Sequence, residues 1–90
     1  MIRLVEVIKQ LNQYELREVF VNPTHVVSLR EDGQMKNVLT EGRLPEGLDA
    51  RQSFTRLVLD KGTVGLELII VGAPALVESK LKGNKMVLNG

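Results

Sequence analysis

Cysteine is absent from the 90-residue chain, and histidine occurs once, as His25. Without cysteine there is no disulfide, no thiolate zinc site and no cysteine nucleophile. A single histidine also excludes a multi-histidine metal centre within one chain. We therefore expect no metal and no cofactor. The lack of cysteine fits a reducing compartment, and we expect the protein in the cytoplasm.

Aromatic residues make up only 3% of the chain, and 12 basic residues face 11 acidic ones, for a net charge of +1. Such a surface has a weak long-range field and few rings on which bases could stack. Apolar runs are short, and Glu6 interrupts the first of them. We expect neither a secretory signal nor a membrane-spanning segment.

The composition is that of an ordinary folded domain, with 43% hydrophobic and 26% charged residues. Ninety residues make a single domain, residues 1–90, because a second core would need a longer chain. A chain this short buries only about 60 to 65% of its unfolded surface, so association with a partner would add useful stability.

Short stretches rich in β-branched residues predict five strands. Asn22 and Pro23 end the second strand, and Gly62 permits the reversal between the last two. The predicted strands are residues 1–9, 14–21, 25–30, 53–60 and 64–71.

A helix is predicted over residues 73–82, with Pro74 in its first turn and a stripe formed by Ala73, Leu76, Val77 and Leu81. The residues after Gly83 either add a brief strand at 86–88 or fray.

Residues 31–52 mix turn formers with isolated apolar residues and predict one long loop, which is either flexible or functional. The expected fold is therefore mainly β, in the α+β class. It has about five mostly antiparallel strands in a curled sheet or small barrel, with one short carboxyl-terminal helix across it.

Catalytic chemistry finds little support in the residue pattern. Strand spacing places His25 and Ser28 on opposite faces, so no local nucleophile and base pair is implied. Glu31 and Asp32 lack the further oxygen ligands of a calcium loop, and residues 62–65 lack the pattern of a phosphate-binding loop. We predict no catalytic, metal or cofactor residue, and an enzyme would need an active site shared between subunits.

The first and fifth strands carry apolar residues on both faces, which is more than a sheet with one helix needs to cover. We therefore expect a non-enzymatic interaction module that self-associates through an apolar sheet face or edge and presents the long loop to a protein partner. The predicted interface residues are Leu4, Val7, Leu68, Ile70 and Val71.

The alternative is a small regulator that binds nucleic acid through basic residues of the strands and the long loop. It requires those residues to converge on one face of the domain. The residues predicted for this role are Arg30, Arg43, Arg51 and Arg56.

Two segments, residues 20–27 and 55–62, resemble the short flagellar proteins of the FlbD type in the order of their features. In that family a strand, an asparagine-containing turn and an apolar strand are followed by a threonine-rich strand, a glycine hairpin and a short terminal helix. The resemblance implies a small cytoplasmic β domain that acts by association, and it supplies no catalytic residues. The insertion at 31–51 and the extended turn at 62–65 depart from the family pattern.

Overall fold

The structure is a computed structural model that describes residues 1–61 and 64–89, with side chains described for residues 1–60 and 65–83. Five strands and two helices form the domain, with a short 3-10 turn at Pro23–His25 before the third strand. The strands are β1 (Ile2–Gln10), β2 (Gln13–Val21), β3 (Val26–Glu31), β4 (Phe54–Lys61) and β5 (Val64–Val71), and the helices are α1 (Gly33–Thr40) and α2 (Pro74–Asn89).

All five strands belong to one open sheet in the order β2-β1-β5-β4-β3, and every neighbouring pair is antiparallel. The predicted mainly β class is confirmed. The sheet does not close into a barrel, so β2 and β3 are its two edges. The predicted reversal at Gly62 lies outside the described residues.

One face of the sheet packs against α2. Val77 and Leu81, one helical turn apart, are both buried there together with Leu57 of β4 and Ile70 of β5. This packing buries the apolar side of α2, a helix that would be only marginally stable by itself. Leu76, predicted in the same stripe, is instead half exposed, because it is offset around the helix from the line through Val77 and Leu81.

The opposite face carries a second core. Phe54 is fully buried there, alongside Val7 of β1 and Leu44 of the irregular segment 41–53. Partly buried side chains of α1 complete this layer, among them Met35 and Val38. The sheet is thus covered on both faces rather than on one.

Helix α1 corrects the prediction of a continuous loop over 31–52. Asp32 caps it, with a carboxylate oxygen accepting from the backbone N–H of Met35 at 3.3 Å. The helix ends at Thr40, and Gly42, one residue beyond the cap residue Glu41, has a φ of 74°, the left-handed conformation typical of a residue just past a helix. The Gly42 N–H donates to the carbonyl of Leu39 at 2.9 Å, which satisfies one of the terminal carbonyls.

Helix α2 is longer than predicted. It runs from Pro74 through Gly83 to Asn89, so residues 86–88 belong to the helix rather than to a sixth strand. Gly72, two residues before its start, has a φ of 129°, a backbone conformation that glycine adopts far more readily than other residues. The hydroxyl of Thr55, also buried, donates to the Gly72 carbonyl at 2.8 Å and fixes this corner to β4.

Asp32 joins α1 to the sheet, and its loss is expected to be costly. Its second carboxylate oxygen accepts from the Arg56 guanidinium at 3.1 Å, while Asp32 itself is buried. Asp32→Ala removes a helix cap and leaves Arg56 short of a partner, so we expect a loss of about 1–3 kcal/mol in the free energy of unfolding. Asp32→Asn keeps an oxygen for the cap and should lose less. Urea unfolding measures both variants, and an Asp32→Ala protein as stable as the parent would contradict the assignment.

Candidate interaction surface

The residues predicted as an oligomer interface lie inside the protein. Leu4, Leu68 and Ile70 are buried in the core beneath α2, and Val7 is buried in the opposite core, where Val71 is partly buried. This corrects the interpretation from sequence. Most apolar residues on the two faces of β1 and β5 belong to two layers of core within one chain, and Val5 and Leu66 are the exposed exceptions among the described residues.

The four arginines predicted for nucleic acid are not gathered on one free surface. Arg30 and Arg56 face each other across β3 and β4, but Arg56 is held by Asp32 and lies 3.7 Å from the Glu67 carboxylate. Arg43 lies over the ring of Tyr14 near the opposite edge of the sheet, and its guanidinium is 3.4 Å from Glu41. Arg51 is exposed in the segment 41–53.

The outer edge of β2 is the largest unpaired feature of the sheet. This strand is nine residues long, and within residues 1–61 and 64–89 no strand pairs with its outer side. Unpaired strand edges present backbone N–H and C=O groups to which another chain can bond. The edge is therefore our candidate interaction surface.

The pairing with β1 shows which groups β2 presents. Gln10 and Gln13 pair directly across a two-residue turn, and a pair that closes such a turn exchanges both backbone hydrogen bonds. Because bonded and non-bonded pairs then alternate along the strands, every second residue of β2 directs its backbone groups outward. The outward residues are Tyr14, Leu16, Glu18 and Phe20.

The other edge of the sheet is less open. β3 has six residues, its register with β4 shifts between Val26 and Ser28, and Pro23 begins the turn that precedes it. Leu29 of β3 also packs against the core beneath α2. Short, bulged edges accept an additional strand poorly, so β2 is the better candidate of the two.

Charged side chains of both signs follow the β2 edge. Glu15 and Arg17 share one face of the strand, with their charged atoms 3.6 Å apart, and Glu18 on the other face bonds Arg3 of β1 at 3.0 Å. Arg17 also lies opposite Glu6. Burial raises the pKa of the Glu6 carboxyl, and the Arg17 guanidinium partly offsets that rise. Arg17 is therefore electrostatically useful within the chain as well as at its edge.

An apolar groove of about 430 Å³ lies where β2 ends. Met1, Phe20 and Leu66 line it, and all three are exposed large apolar residues. His25 and Asp60 stand among the lining residues. Exposed apolar side chains gathered at one place are typical of contact with another molecule.

The turn between β1 and β2 carries a further exposed apolar residue. Leu11 is 96% exposed and has a φ of 55°, a conformation that glycine and asparagine adopt far more readily than leucine. Neither burial nor backbone preference within the chain accounts for a leucine at this position.

Sequence reasoning did not identify this surface, although an edge was one of the alternatives that it left open. Alternation along β2 predicted the strand and its faces, but strand order decides which strand lies at an edge. The available signal was local: Glu15, Arg17 and Glu18 interrupt a β-branched and aromatic strand, as charges often do at sheet edges.

The fold and surface define a small open antiparallel β domain with a helix on each face and a long edge strand whose outer side has no partner strand among the described residues. Comparisons with protein-family models, with curated proteins and with solved structures find no match to this chain. The resemblance to the FlbD-type flagellar proteins stays a prediction. Among the described residues, no helix has the length and apolar character needed to cross a bilayer.

Proposed function

We propose that the protein is a non-enzymatic interaction module that self-associates through the outer edge of β2. The observation that carries this proposal is the outward row of backbone groups from Tyr14 to Phe20, which has no partner strand within the described part of the chain. The cytoplasm is the proposed location, in keeping with the absence of cysteine.

Supporting features lie at both ends of the same strand. Leu11 lies two residues before the first residue of β2, and Phe20, beside the apolar groove, is the penultimate residue of the strand. Association along β2 would bring apolar contacts at the ends together with backbone hydrogen bonds in the middle. Such a combination is the usual basis of recognition by strand addition.

The proposal predicts that a proline on the outer edge blocks association without unfolding the chain. Glu18 is exposed and directs its N–H outward, so Glu18→Pro removes a donor that β1 does not use. We expect the dissociation constant of the Glu18→Pro dimer to be at least about tenfold higher than that of the parent dimer. Glu18→Ala is the matched control, because it removes the same side chain and the same Arg3 contact but keeps the N–H.

Light scattering after size exclusion, over about a hundredfold range of protein concentration, measures the association. A parent protein that stays monomeric throughout would overturn the proposed function. Repeating the measurement with single- and double-stranded oligonucleotides at low and moderate salt tests the nucleic-acid alternative. A monomer that binds the oligonucleotides, with affinity falling steeply as salt rises, would replace our proposal with that alternative.

A further inference from the structure

We propose that two copies pair through β2 in one register, antiparallel about a twofold axis at Leu16, so that Glu15 of each copy faces the partner's Arg17. This inference rests on the self-association proposed above and specifies its geometry. It follows from the hydrogen-bonding pattern of β2 and from the order of charges along the strand.

Strand geometry first limits where the axis can lie. In an antiparallel pair related by a twofold axis normal to the sheet, each residue faces a partner residue on the same face, and outward groups must face outward groups. Both conditions hold only if residues of equal parity face each other. The axis therefore passes through a residue position of β2 and never between two residues.

Charge then selects among the central positions of β2. An axis at residue 15, 17 or 18 sets that residue against its own copy, which places Glu15, Arg17 or Glu18 opposite a like charge. Like charges directly opposite each other on neighbouring strands are destabilising. An axis at Leu16 instead places Glu15 opposite the partner's Arg17 twice, once on each side of the axis.

Axes nearer the ends of the strand give less overlap. With the axis at Leu16, residues 13–19 of each copy pair, whereas an axis at Tyr14 pairs only residues 13–15 and an axis at Val19 only residues 17–21. Because each additional bonded pair contributes two backbone hydrogen bonds, the register at Leu16 gains over both. It combines long overlap with opposite charges.

The backbone pattern reinforces the charge contacts. Leu16 directs its N–H and C=O outward, so Leu16 and its symmetry mate form a hydrogen-bonded pair, as do Tyr14 and the partner's Glu18. Glu15 and the partner's Arg17 then form a non-hydrogen-bonded pair, the type in which side chains lie closest together. Four charges of alternating sign meet around the axis on one face.

The same register provides contacts for the exposed apolar residues. Residues 13–19 pair, so the end of β2 at Phe20 and Val21 extends past the partner's Gln13 and lies beside the partner's turn. Leu11 of that turn is almost fully exposed in the single chain, and Phe20 is 59% exposed. Their approach in the dimer gives a reason for a leucine in the turn.

Charge reversal tests the register directly. Glu15→Arg places the new guanidinium opposite the partner's Arg17 at two sites, and Arg17→Glu places the new carboxylate opposite the partner's Glu15 at two sites. We expect each variant alone to dimerise about tenfold or more weakly than the parent. When the two variants are mixed, every facing pair again has opposite charges, so we expect heterodimers about as tight as the parent dimer.

The chain offers a matched control for each reversal. Glu78→Arg makes the same charge change as Glu15→Arg, and Lys80→Glu makes the change of Arg17→Glu, both on the exposed surface of α2 and away from β2. We expect both controls to dimerise within about twofold of the parent. If thermal unfolding shows that Arg17→Glu does not fold, Arg17→Gln takes its place in the mixture, because it adds no carboxylate beside Glu6. That heterodimer keeps one pair of opposite charges, so we expect it to be tighter than the Glu15→Arg homodimer and weaker than the parent dimer.

The outcomes separate the register from the function. Weak single variants that recover on mixing support the register at Leu16. The register is overturned, and self-association left standing, if neither reversal weakens the dimer, if mixing the two variants does not restore it, or if the control Glu78→Arg weakens it equally. A monomeric parent overturns both proposals, and a monomer that captures an extended peptide along β2 would show strand addition by a different partner.

Discussion

Replacing Phe54 with alanine is expected to lower the free energy of unfolding by about 3–5 kcal/mol. The Phe54 ring is fully buried between β4 and the layer formed by α1 and the segment 41–53. Its removal leaves a cavity beside Val7 and Leu44, and neither a sheet nor a capped helix can collapse completely to fill it. Most of a small domain's stability is at stake in a loss of that size.

Phe20 provides the matched control, because it is a phenylalanine on the same sheet with 59% of its surface exposed. We expect Phe20→Ala to change stability by no more than about 1 kcal/mol, measured by urea unfolding at a concentration where the protein is monomeric. Equal losses for the two variants would mean that Phe54 does not anchor the second core. Hydrogen exchange should also show α1 opening first in Phe54→Ala, since α1 depends on this layer.

Local pattern predicted most of the sheet. β-branched and aromatic residues in short runs identified all five strands, and Asn22 followed by Pro23 identified the end of β2. Apolar residues on both faces of residues 64–71 indicated a strand that is covered on both faces, and β5, the middle strand of the sheet, contributes to both cores. These features depend on neighbours in sequence, so one sequence is enough to detect them.

Helix α1 shows why the rest was not predicted. It has eight residues, too few for a helix that is stable by itself. Its apolar side chains are explained only by their packing against the sheet, which the local sequence does not show. Asp32 three residues before Met35 was the available local signal, since an aspartate at that spacing can cap a helix. Its second bond, to Arg56 on β4, joins residues 24 apart in the sequence and could not be predicted from it.

The missed helix also explains the misplaced interface. With only one helix to cover the sheet, the apolar residues on the second face of β1 and β5 required a partner, and a second copy was the natural candidate. Once α1 and Leu44 cover that face, Val7 and Val71 need no partner from outside. What remains open is an edge, and which strand forms an edge depends on pairing between distant segments.

Ile70 distinguishes a core residue from an interface residue most sharply. It is fully buried at the centre of the sheet, where it lies opposite Glu6 of β1 and Thr55 of β4 and packs in the core beneath α2. We expect Ile70→Ala to cost about 2–5 kcal/mol in unfolding free energy, since a cavity in the central strand has rigid neighbours on both sides.

That cost should arise within the single chain. A core residue lowers stability by the same amount at every protein concentration, whereas an interface residue weakens association and makes the loss depend on concentration. Leu66→Ala is the control, on the same strand and the same face but 43% exposed, and it should cost much less. If the Ile70→Ala protein has the parent's free energy of unfolding but no longer dimerises, Ile70 is an interface residue after all. A concentration-independent loss would instead leave the edge of β2 as the surface through which two copies meet.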